Sequence, residues 1–225
     1  MKGDPPTGQL PEDLPEDVLG RLRKDGISVL RNAQRRAVEC GLLKGRNILV
    51  CTPTASGKTL IAELAAAATI IQRKSKVVYV VPLKALAQEK FRDFQRRYNG
   101  LFRVALSIGD LDSDEARLED RDLIVCTQEK LDSMLRHKAP WATCIGLLVV
   151  DEIHLINDPG RGPTLEILIT MLRQLLPSLQ VLGLSATIGN PQELAAWLGS
   201  ELIEDSWRPV ELKKGILCRD ELEFY

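Results

Sequence analysis

Residues 47–60, NILVCTPTASGKTL, contain a short apolar run, a turn-rich loop and the first residues of a helix. Residues 48–51 are apolar and mostly branched, as in a buried strand, whereas residues 60–68 are strong helix formers. A loop at such a junction offers unpaired backbone N–H groups at the positive end of a helix dipole. The segment therefore predicts a loop that binds phosphate groups.

The residues of this loop predict a nucleotide site that also takes Mg²⁺. Gly57 lets the backbone approach the phosphates, because it has no Cβ. Lys58 is expected to reach the β and γ phosphates as a point charge, and the Thr59 hydroxyl to bind Mg²⁺. The loop residues Thr54, Ala55 and Ser56 complete the predicted site, whereas Thr52 stands where the full consensus has a glycine. The alternative is an ordinary strand-to-helix turn with a solvated Lys58.

The composition limits the classes of protein to be considered. The chain has 225 residues, 44% of them hydrophobic, and no apolar run long enough to cross a bilayer. Residues 1–10 lack the apolar core of a signal peptide. These features predict a soluble, monomeric globular protein of one or two domains, with no membrane partner, in the cytoplasm or, in a eukaryote, the nucleus.

Cysteine content and net charge exclude two further classes. The five cysteines are widely spaced and form no Cys-x-x-Cys pair, which predicts buried free thiols in a reducing compartment and no zinc site or disulfide framework. The formal net charge is −1, so binding of nucleic acid through bulk positive charge is not expected. Any such binding would require a local surface.

Apolar runs alternate with amphipathic segments along the chain. Strands are predicted at residues 48–51, 77–81, 102–108, 123–126, 145–150 and 181–184. Helices are predicted at residues 15–26, 33–42, 60–71, 83–98, 129–136, 164–176 and 191–198, and residues 111–121 are predicted to form a surface loop or a short helix. Strands that are apolar at every position are typical of a sheet covered on both faces. The pattern predicts a doubly wound α/β fold with a mostly parallel sheet and ligands at the carboxyl ends of its strands.

Polar residues follow two of these strands. Asp151 and Glu152 come directly after the fifth strand. Because they are expected to lie beside the phosphate loop, we assign Asp151 to the metal and Glu152 to the attacking water. Ser185 and Thr187 follow the sixth strand, where small hydroxyl groups could sense the state of the nucleotide. A solvated Asp-Glu turn is the alternative for the acidic pair, and a satisfied loop histidine is the alternative for His154.

The motifs at the strand ends resemble those of a known family. TASGKT (54–59), DEIH (151–154) and SAT (185–187) look like motifs I, II and III of the superfamily two helicases. VPLKALA (81–87) and TQEK (127–130) are similar to motifs Ia and Ib.

Two further segments narrow the resemblance. RGPTLE (161–166) is similar to the segment after motif II in the Ski-two-like branch. WRPV (207–210) resembles the end of the first lobe in the archaeal repair helicases of the Hjm or Hel group, and the resemblance covers nearly the whole chain from Leu30 onward.

The resemblance implies a RecA-like lobe of an ATP-driven motor that moves 3′ to 5′ on single-stranded or forked DNA, with ATP and Mg²⁺ as cofactors and roles in DNA repair or fork processing. It assigns His154, Ser185 and Thr187 to coupling. Gln34 matches the glutamine that reads adenine, since an amide offers both a donor and an acceptor. The family usually has prolines before this glutamine, whereas Asn32 and Ala33 precede it here. An exposed glutamine at the start of a helix is the alternative.

The resemblance also implies a nucleic-acid surface at the ends of the strands. It implies that the phosphates of the nucleic-acid backbone contact the starts of two helices, at residues 82–86 and 127–130. Free N–H groups there can bind phosphates without reading bases. The residues expected on this rim are Pro82, Lys84, Gly109, Asp110, Thr127 and Lys130. Taken singly, each basic residue has the alternative of a solvated helix charge.

The family resemblance divides the chain into three parts. Residues 1–29 are expected to be a lead-in with a short helix, residues 30–205 the first RecA-like lobe, and residues 206–225 the start of an interlobe linker. The arginine motif Gln-x-x-Gly-Arg-x-Gly-Arg of a second lobe does not occur in the 225 residues. We therefore expect a single lobe with weak activity or none by itself. The alternatives are a stand-alone nucleotide-binding switch or scaffold, and an RNA helicase of the same branch.

Overall fold

A seven-stranded parallel sheet forms the centre of the computed structural model, which describes residues 8–109, 118–208, 215–218 and 221–224. In spatial order the sheet is β5, β6, β4, β7, β8, β3 and β9, and every neighbouring pair is parallel. Two antiparallel pairs, β1 with β2 and β10 with β11, lie outside it. The strands are β1 (Gly8–Gln9), β2 (Val29–Leu30), β3 (Ile48–Cys51), β4 (Lys76–Val81), β5 (Val104–Ser107), β6 (Leu123–Thr127), β7 (Ile145–Asp151), β8 (Gln180–Ser185), β9 (Glu201–Glu204), β10 (Gly215–Cys218) and β11 (Glu221–Phe224).

Helices cover both faces of the sheet. They are α1 (Glu16–Lys24), α2 (Asn32–Glu39), α3 (Lys58–Ala67), α4 (Lys84–Tyr98), α5 (Gln128–Arg136), α6 (Gly162–Leu175) and α7 (Pro191–Leu198). Val77 and Tyr79 point into a core packed by α1 to α4, whereas Val78 and Val80 point into a second core packed by α5 to α7. Successive strand residues face opposite sides, so each apolar strand serves both cores. The predicted doubly wound fold is confirmed.

The largest difference from the predicted elements is β9, which the sequence analysis did not place. This edge strand pairs with β3 in parallel, from Ile48 opposite Glu201 to Cys51 opposite Glu204. Only Ile203 of its four residues is fully buried, and both ends are exposed glutamates. An edge strand of this composition has almost no apolar signal, so hydrophobic patterning alone does not reveal it.

Several predicted boundaries were also wrong. The third strand begins at Val104 instead of residue 102, because the Phe102 ring stacks on that of Tyr98, the last residue of α4, at 4.8 Å between ring centroids. Leu83, which was predicted as the first residue of that helix, is exposed at its N-cap. Residues 110–117, most of the predicted loop or short helix at 111–121, lie outside the described residues.

The cysteine prediction holds for some thiols and fails for others. Cys51 and Cys126 are buried, Cys40 is half-buried and Cys144 is exposed, so the expectation of uniformly buried thiols was wrong. Burial raises the pKa of Cys51 to about 11 and that of Cys126 to about 12, which keeps both as neutral thiols. The side chain of Cys218 lies outside the described residues. None of the helices in the described part of the chain is long and apolar enough to span a membrane.

A buried ion-pair network joins three helices behind the phosphate loop. Glu63 of α3 is buried and accepts hydrogen bonds from Arg97 and from the Tyr98 hydroxyl, the latter at 2.9 Å. Arg97 also binds Asp25, which follows α1, at 2.6 Å. Burial raises the pKa of Glu63, and Arg97 and Tyr98 oppose that shift. Arg97 is therefore the charge that makes a buried Glu63 carboxylate tolerable.

We expect Arg97→Ala to lower the free energy of unfolding by about 3 kcal/mol at neutral pH, because it leaves a buried carboxylate unpaired. Urea denaturation measures this loss. Arg96→Ala is the matched control. Arg96 lies on the same helix but is exposed, and its ion pair with Asp93 is long, at 3.6 Å. Its effect should stay within about 0.5 kcal/mol. Equal losses in the two variants would contradict the role given to Glu63 and Arg97.

The loss in Arg97→Ala should also depend on pH. Without Arg97 the pKa of Glu63 rises further in the folded state, so the folded protein binds a proton that the unfolded chain, with an ordinary carboxyl pKa, does not bind. Stability of the variant therefore falls as pH rises through the folded pKa. The deficit relative to the unmutated chain should shrink as the pH is lowered from neutral toward the ordinary carboxyl pKa, and a constant deficit would contradict this explanation.

Candidate nucleotide and nucleic-acid sites

The three predicted motifs meet on neighbouring strands. β8 lies between β7 and β3, with Cys51 opposite Ser185 and Asp151 opposite Leu184. Just beyond β3, the Thr52 N–H donates to the Ser185 carbonyl at 3.2 Å. The phosphate loop, the acidic pair and the hydroxyl motif thus emerge side by side at one edge of the sheet. This is the edge at which a doubly wound fold binds ligands.

The loop between β3 and α3 folds around its own backbone. The Lys58 Nζ donates to the carbonyl oxygens of Thr52 at 2.8 Å and Pro53 at 3.2 Å. The hydroxyls of Thr52 and Ser56 lie 2.7 Å apart and share a hydrogen bond. Thr52 is fully buried, so the residue that replaces the consensus glycine serves as an internal brace of the loop. The alternative of a simply solvated Lys58 was wrong.

Backbone conformation allows the loop to turn into α3. Gly57 has φ of 95° and Ala55 has φ of 63°, both in the left-handed region. A Cβ at Gly57 would lie 2.5 Å from the Gln34 Nε2, closer than real contacts allow. The left-handed φ therefore favours glycine at position 57, and the Gln34 side chain would have to move to admit a larger residue.

Electrostatic interactions connect the loop to the acidic pair. Burial lowers the pKa of Lys58, and the negative charges of Glu152 and Asp151 oppose this shift. The ammonium is thus partly desolvated, with two carboxylates near enough to influence it. Negative charge close to such a group favours its charged form, so phosphate groups at the loop would stabilise the Lys58 ammonium in the same way.

The two carboxylates of the acidic pair have different surroundings. Asp151 is held by the buried Tyr79, whose hydroxyl donates to Oδ2 at 3.0 Å, and by the Glu152 N–H, which donates to Oδ1 at 3.1 Å. Burial and the charge of Asp151 raise the pKa of Tyr79 far above its ordinary value, so this hydroxyl remains a donor. Glu152 has φ of 53° and a half-exposed side chain. One carboxylate is oriented, and the other is accessible.

The residues assigned to coupling lie around this pair. His154 Nδ1 lies 3.3 Å from Glu152 Oε2, but without the alignment of a hydrogen bond, and it is buried with no hydrogen-bond partner. The Ser185 hydroxyl is likewise buried without a partner. Thr187 is exposed. The role of His154 in coupling remains a prediction.

A cleft of about 450 Å³ opens beside the phosphate loop, and we call it the loop cleft. Its lining includes Arg31, Gln34, Gly57, Thr59 and Lys90. Gln34 is buried, with Oε1 accepting from the Arg31 N–H at 2.8 Å and Nε2 donating to the Gly57 carbonyl at 3.0 Å. The alternative of an exposed glutamine was wrong. Gln34 links the start of α2 to the phosphate loop, and its reading of adenine remains a prediction.

The donor groups present fit Mg²⁺ bound together with phosphates. Magnesium commonly uses one or two protein oxygens and takes its other ligands from waters and substrate phosphates. Asp151 offers an oriented carboxylate and Thr59 a hydroxyl at the first turn of α3. The Thr59 hydroxyl already accepts a hydrogen bond from the Lys90 ammonium at 3.1 Å, so a positive group lies against this oxygen.

A second cleft, which we call the rim cleft, contains the predicted nucleic-acid residues. It has a volume of about 410 Å³, and its lining includes Pro82, Lys84, Gly109, Thr127 and Lys130. The helices α4 and α5 both begin there, directly after β4 and β6. The Thr127 hydroxyl caps α5 by accepting from the Lys130 N–H at 3.4 Å. Asp110, also predicted on this rim, lies outside the described residues.

Three residues of these sites were not predicted from the sequence. Tyr79 could have been recognised, because a tyrosine in a buried strand of valines needs a partner for its hydroxyl. Lys90 has no such signal, since it is one of several basic residues in α4. Arg31 was passed over because its contacts, to the phosphate loop and to Trp207, depend entirely on tertiary structure.

Comparison with known proteins agrees with this geometry. Residues 31–194 match the DEAD/DEAH box helicase family. The curated ATP-dependent DNA helicase Hel308 of Methanocaldococcus jannaschii is 52% identical over 217 residues, which cover 93% of this chain and 18% of that protein. The Hel308 protein of Pyrococcus abyssi is 50% identical over 204 residues, which cover 91% of this chain and 28% of that protein. The chain therefore spans less than a third of these relatives.

Solved structures show the same fold. A crystal structure of the DUF1998 helicase MrfA bound to DNA superimposes with a TM-score of 0.81 at 26% identity, over 92% of this chain and 32% of that protein. A structure of MrfA bound to DNA and AMPPNP gives a TM-score of 0.80. The resemblance predicted from the strand-end motifs is confirmed, and the chain belongs to the DEAD/DEAH box helicase family.

Proposed function

We propose that this chain is the ATP-binding first lobe of an ATP-dependent DNA helicase. One observation carries the proposal: the phosphate loop, the Asp151–Glu152 pair and Ser185 emerge from three adjacent strands at one edge of the sheet. In this proposal residues 30–205 form the lobe, and residues 206–225 begin the linker to a second lobe. Family membership and the identity to named DNA helicases support it.

The surroundings of each residue indicate its role in ATP hydrolysis. Lys58 leaves the carbonyls of Thr52 and Pro53 to neutralise the β and γ phosphates. Thr59 and the oriented Asp151 would hold Mg²⁺, which neutralises further phosphate charge. The accessible Glu152 accepts a proton from the water that attacks the γ-phosphorus, while the bond from that phosphorus to the β-phosphate oxygen breaks.

The rim cleft is the proposed contact for single-stranded DNA. Two helix N-termini supply free N–H groups, and Lys84 and Lys130 supply positive charge, a combination that binds backbone phosphates without reading bases. The helix α4 lines both clefts, with Lys84 at the rim cleft and Lys90 at the loop cleft. One rigid element thus connects the proposed DNA contact with the proposed nucleotide contact.

Base preference tests the position of the nucleotide. If Gln34 reads the adenine edge, Mg·ATP should bind more tightly than Mg·GTP, and Gln34→Ala should level the two affinities, because a matched hydrogen-bond pair contributes on the order of 1 kcal/mol. Isothermal titration calorimetry measures all four affinities. Equal affinities for ATP and GTP in the unmutated chain would remove Gln34 from base recognition and leave it as a brace of the loop.

Fluorescence anisotropy with labelled oligonucleotides tests the rim cleft. Lys84→Ala and Lys130→Ala should each weaken binding of single-stranded DNA irrespective of sequence and reduce the slope of log affinity against log salt by about 0.7. Lys74→Ala is the matched control, because Lys74 is exposed before β4, at the opposite edge of the sheet from Lys84.

Three outcomes would count against this account of the rim cleft. Equal effects of all three substitutions would contradict the assignment of DNA to the cleft. Tighter binding of RNA than of DNA would favour the alternative of an RNA helicase. Binding of nucleotide without any binding of nucleic acid would favour a stand-alone switch.

A further inference from the structure

Arg31 has no role in the proposed chemistry, yet its side chain connects three parts of the site. It precedes α2, and its Nη1 donates to the Ala55 carbonyl of the phosphate loop at 3.0 Å. Its guanidinium lies over the ring of Trp207, 4.8 Å from the ring centroid. It also lines the loop cleft. One half-buried side chain therefore contacts the phosphate loop, the cleft and the segment after β9.

Hydrogen bonds hold that segment against the same part of the molecule. The Asp205 N–H donates to the Cys51 carbonyl at 3.3 Å, at the end of β3. The Asp205 carboxylate accepts from Asn32 Nδ2 at 3.3 Å and from the Trp207 N–H at 2.9 Å. The Trp207 backbone is thus tied to the start of α2 and to the strand that leads into the phosphate loop.

The present contacts of Arg31 are those that an anion would disturb. A guanidinium has five N–H donors, and phosphates bind such donors more strongly than a neutral carbonyl does. Ala55 has a left-handed backbone in the loop whose N–H groups would turn toward phosphates. A phosphate at the loop therefore changes both the acceptor for Arg31 and the geometry of its stack on Trp207.

We infer that Arg31 is a nucleotide-binding residue and that its shift from the Ala55 carbonyl to a phosphate changes the contact with Trp207. Occupancy of the loop is thereby transmitted to residues 205–207, which lead out of the lobe. The inference rests on the proposed function, because it places ATP in the loop cleft.

Trp207 fluorescence tests the inference directly. The chain has three tryptophans, so Trp141→Phe with Trp197→Phe leaves Trp207 as the only reporter. Mg·ATP should change its emission with a midpoint equal to the dissociation constant from calorimetry. Arg31→Ala in this background should weaken Mg·ATP roughly tenfold or more and abolish the emission change. Arg31→Lys should recover part of the affinity through its charge but not the emission change. A lysine ammonium lacks the planar guanidinium that stacks on the Trp207 ring and binds a phosphate through two N–H donors.

Arg36→Ala is the matched control. Arg36 lies further along α2 and donates to the carbonyl of Glu204, the last residue of β9, at 2.7 Å, but it makes no hydrogen bond to the loop. It should leave both readouts unchanged. Unchanged Mg·ATP affinity in Arg31→Ala, or nucleotide binding with no change in Trp207 emission, would overturn the inference and leave the proposed function intact. Failure of the single-tryptophan parent and the unmutated chain to bind Mg·ATP would instead overturn the proposed function.

Discussion

Residues 1–225 are expected to bind Mg·ATP but to hydrolyse it roughly 10³ to 10⁵ times more slowly than a chain that also carries an arginine-supplying second lobe. In the proposed function, Asp151 and Glu152 would place a metal and a water at the loop. The charge that develops on the γ-phosphate still needs arginine partners, and the Gln-x-x-Gly-Arg-x-Gly-Arg motif that would supply them does not occur in the sequence. Unwinding should be absent, because two lobes must close on the strand to move it.

A steady-state ATPase assay with and without single-stranded DNA measures this deficit. Joining a second lobe to the C-terminal end should restore DNA-stimulated turnover. In the joined protein, Glu152→Gln should abolish turnover while Mg·ATP binding persists, since the amide cannot accept the proton of the attacking water. Robust DNA-stimulated hydrolysis by residues 1–225 alone would refute the division of labour between two lobes.

Lys58→Ala is expected to weaken Mg·ATP binding by ~100-fold, because it removes the charge that is proposed to face the β and γ phosphates. Calorimetric titration measures the change. The Lys58 ammonium also bridges the Thr52 and Pro53 carbonyls, so the substitution loosens the empty loop as well as the bound state.

Lys90→Ala is the matched comparison, because it tests whether the loss of any ammonium beside the loop has the same effect as Lys58→Ala. Lys90 contacts the loop through the Thr59 hydroxyl but is not expected to face the phosphates, so its loss should weaken binding far less. Unchanged ATP affinity in a folded Lys58→Ala protein would remove the phosphate-loop assignment.

Much of the sheet could be predicted because its strands are short, branched and apolar on both faces. Residues 48–51 and 191–198 were predicted with their observed bounds, since strong apolar and proline signals mark them. β9 could not be predicted, because Glu201 and Glu204 at its ends give it the composition of a loop. Its place in the sheet depends on Ile203 reaching the core beside β3.

The candidate site divides in the same way. Gly57, Lys58, Asp151 and Glu152 could be proposed from sequence because strand ends and a helix start dictate where such residues lie. The contact of Arg31 with Trp207 spans 176 positions, and that of Tyr79 with Asp151 spans 72, so no local pattern encodes either. Thr52 shows the limit of a consensus, since a buried hydroxyl pair with Ser56 supports the loop where glycine was expected.

A crystal structure of residues 1–225 with Mg²⁺ and a non-hydrolysable ATP analogue tests the central claim most directly. We expect the β and γ phosphates within hydrogen-bond distance of the N–H groups of Gly57 and Lys58, with Lys58 Nζ moved from the Thr52 carbonyl onto them. We also expect Mg²⁺ to lie beside the Thr59 hydroxyl, on the side of the site where the Asp151 carboxylate lies. A nucleotide bound away from this loop, or Lys58 still on the Thr52 carbonyl beneath a bound nucleotide, would contradict it.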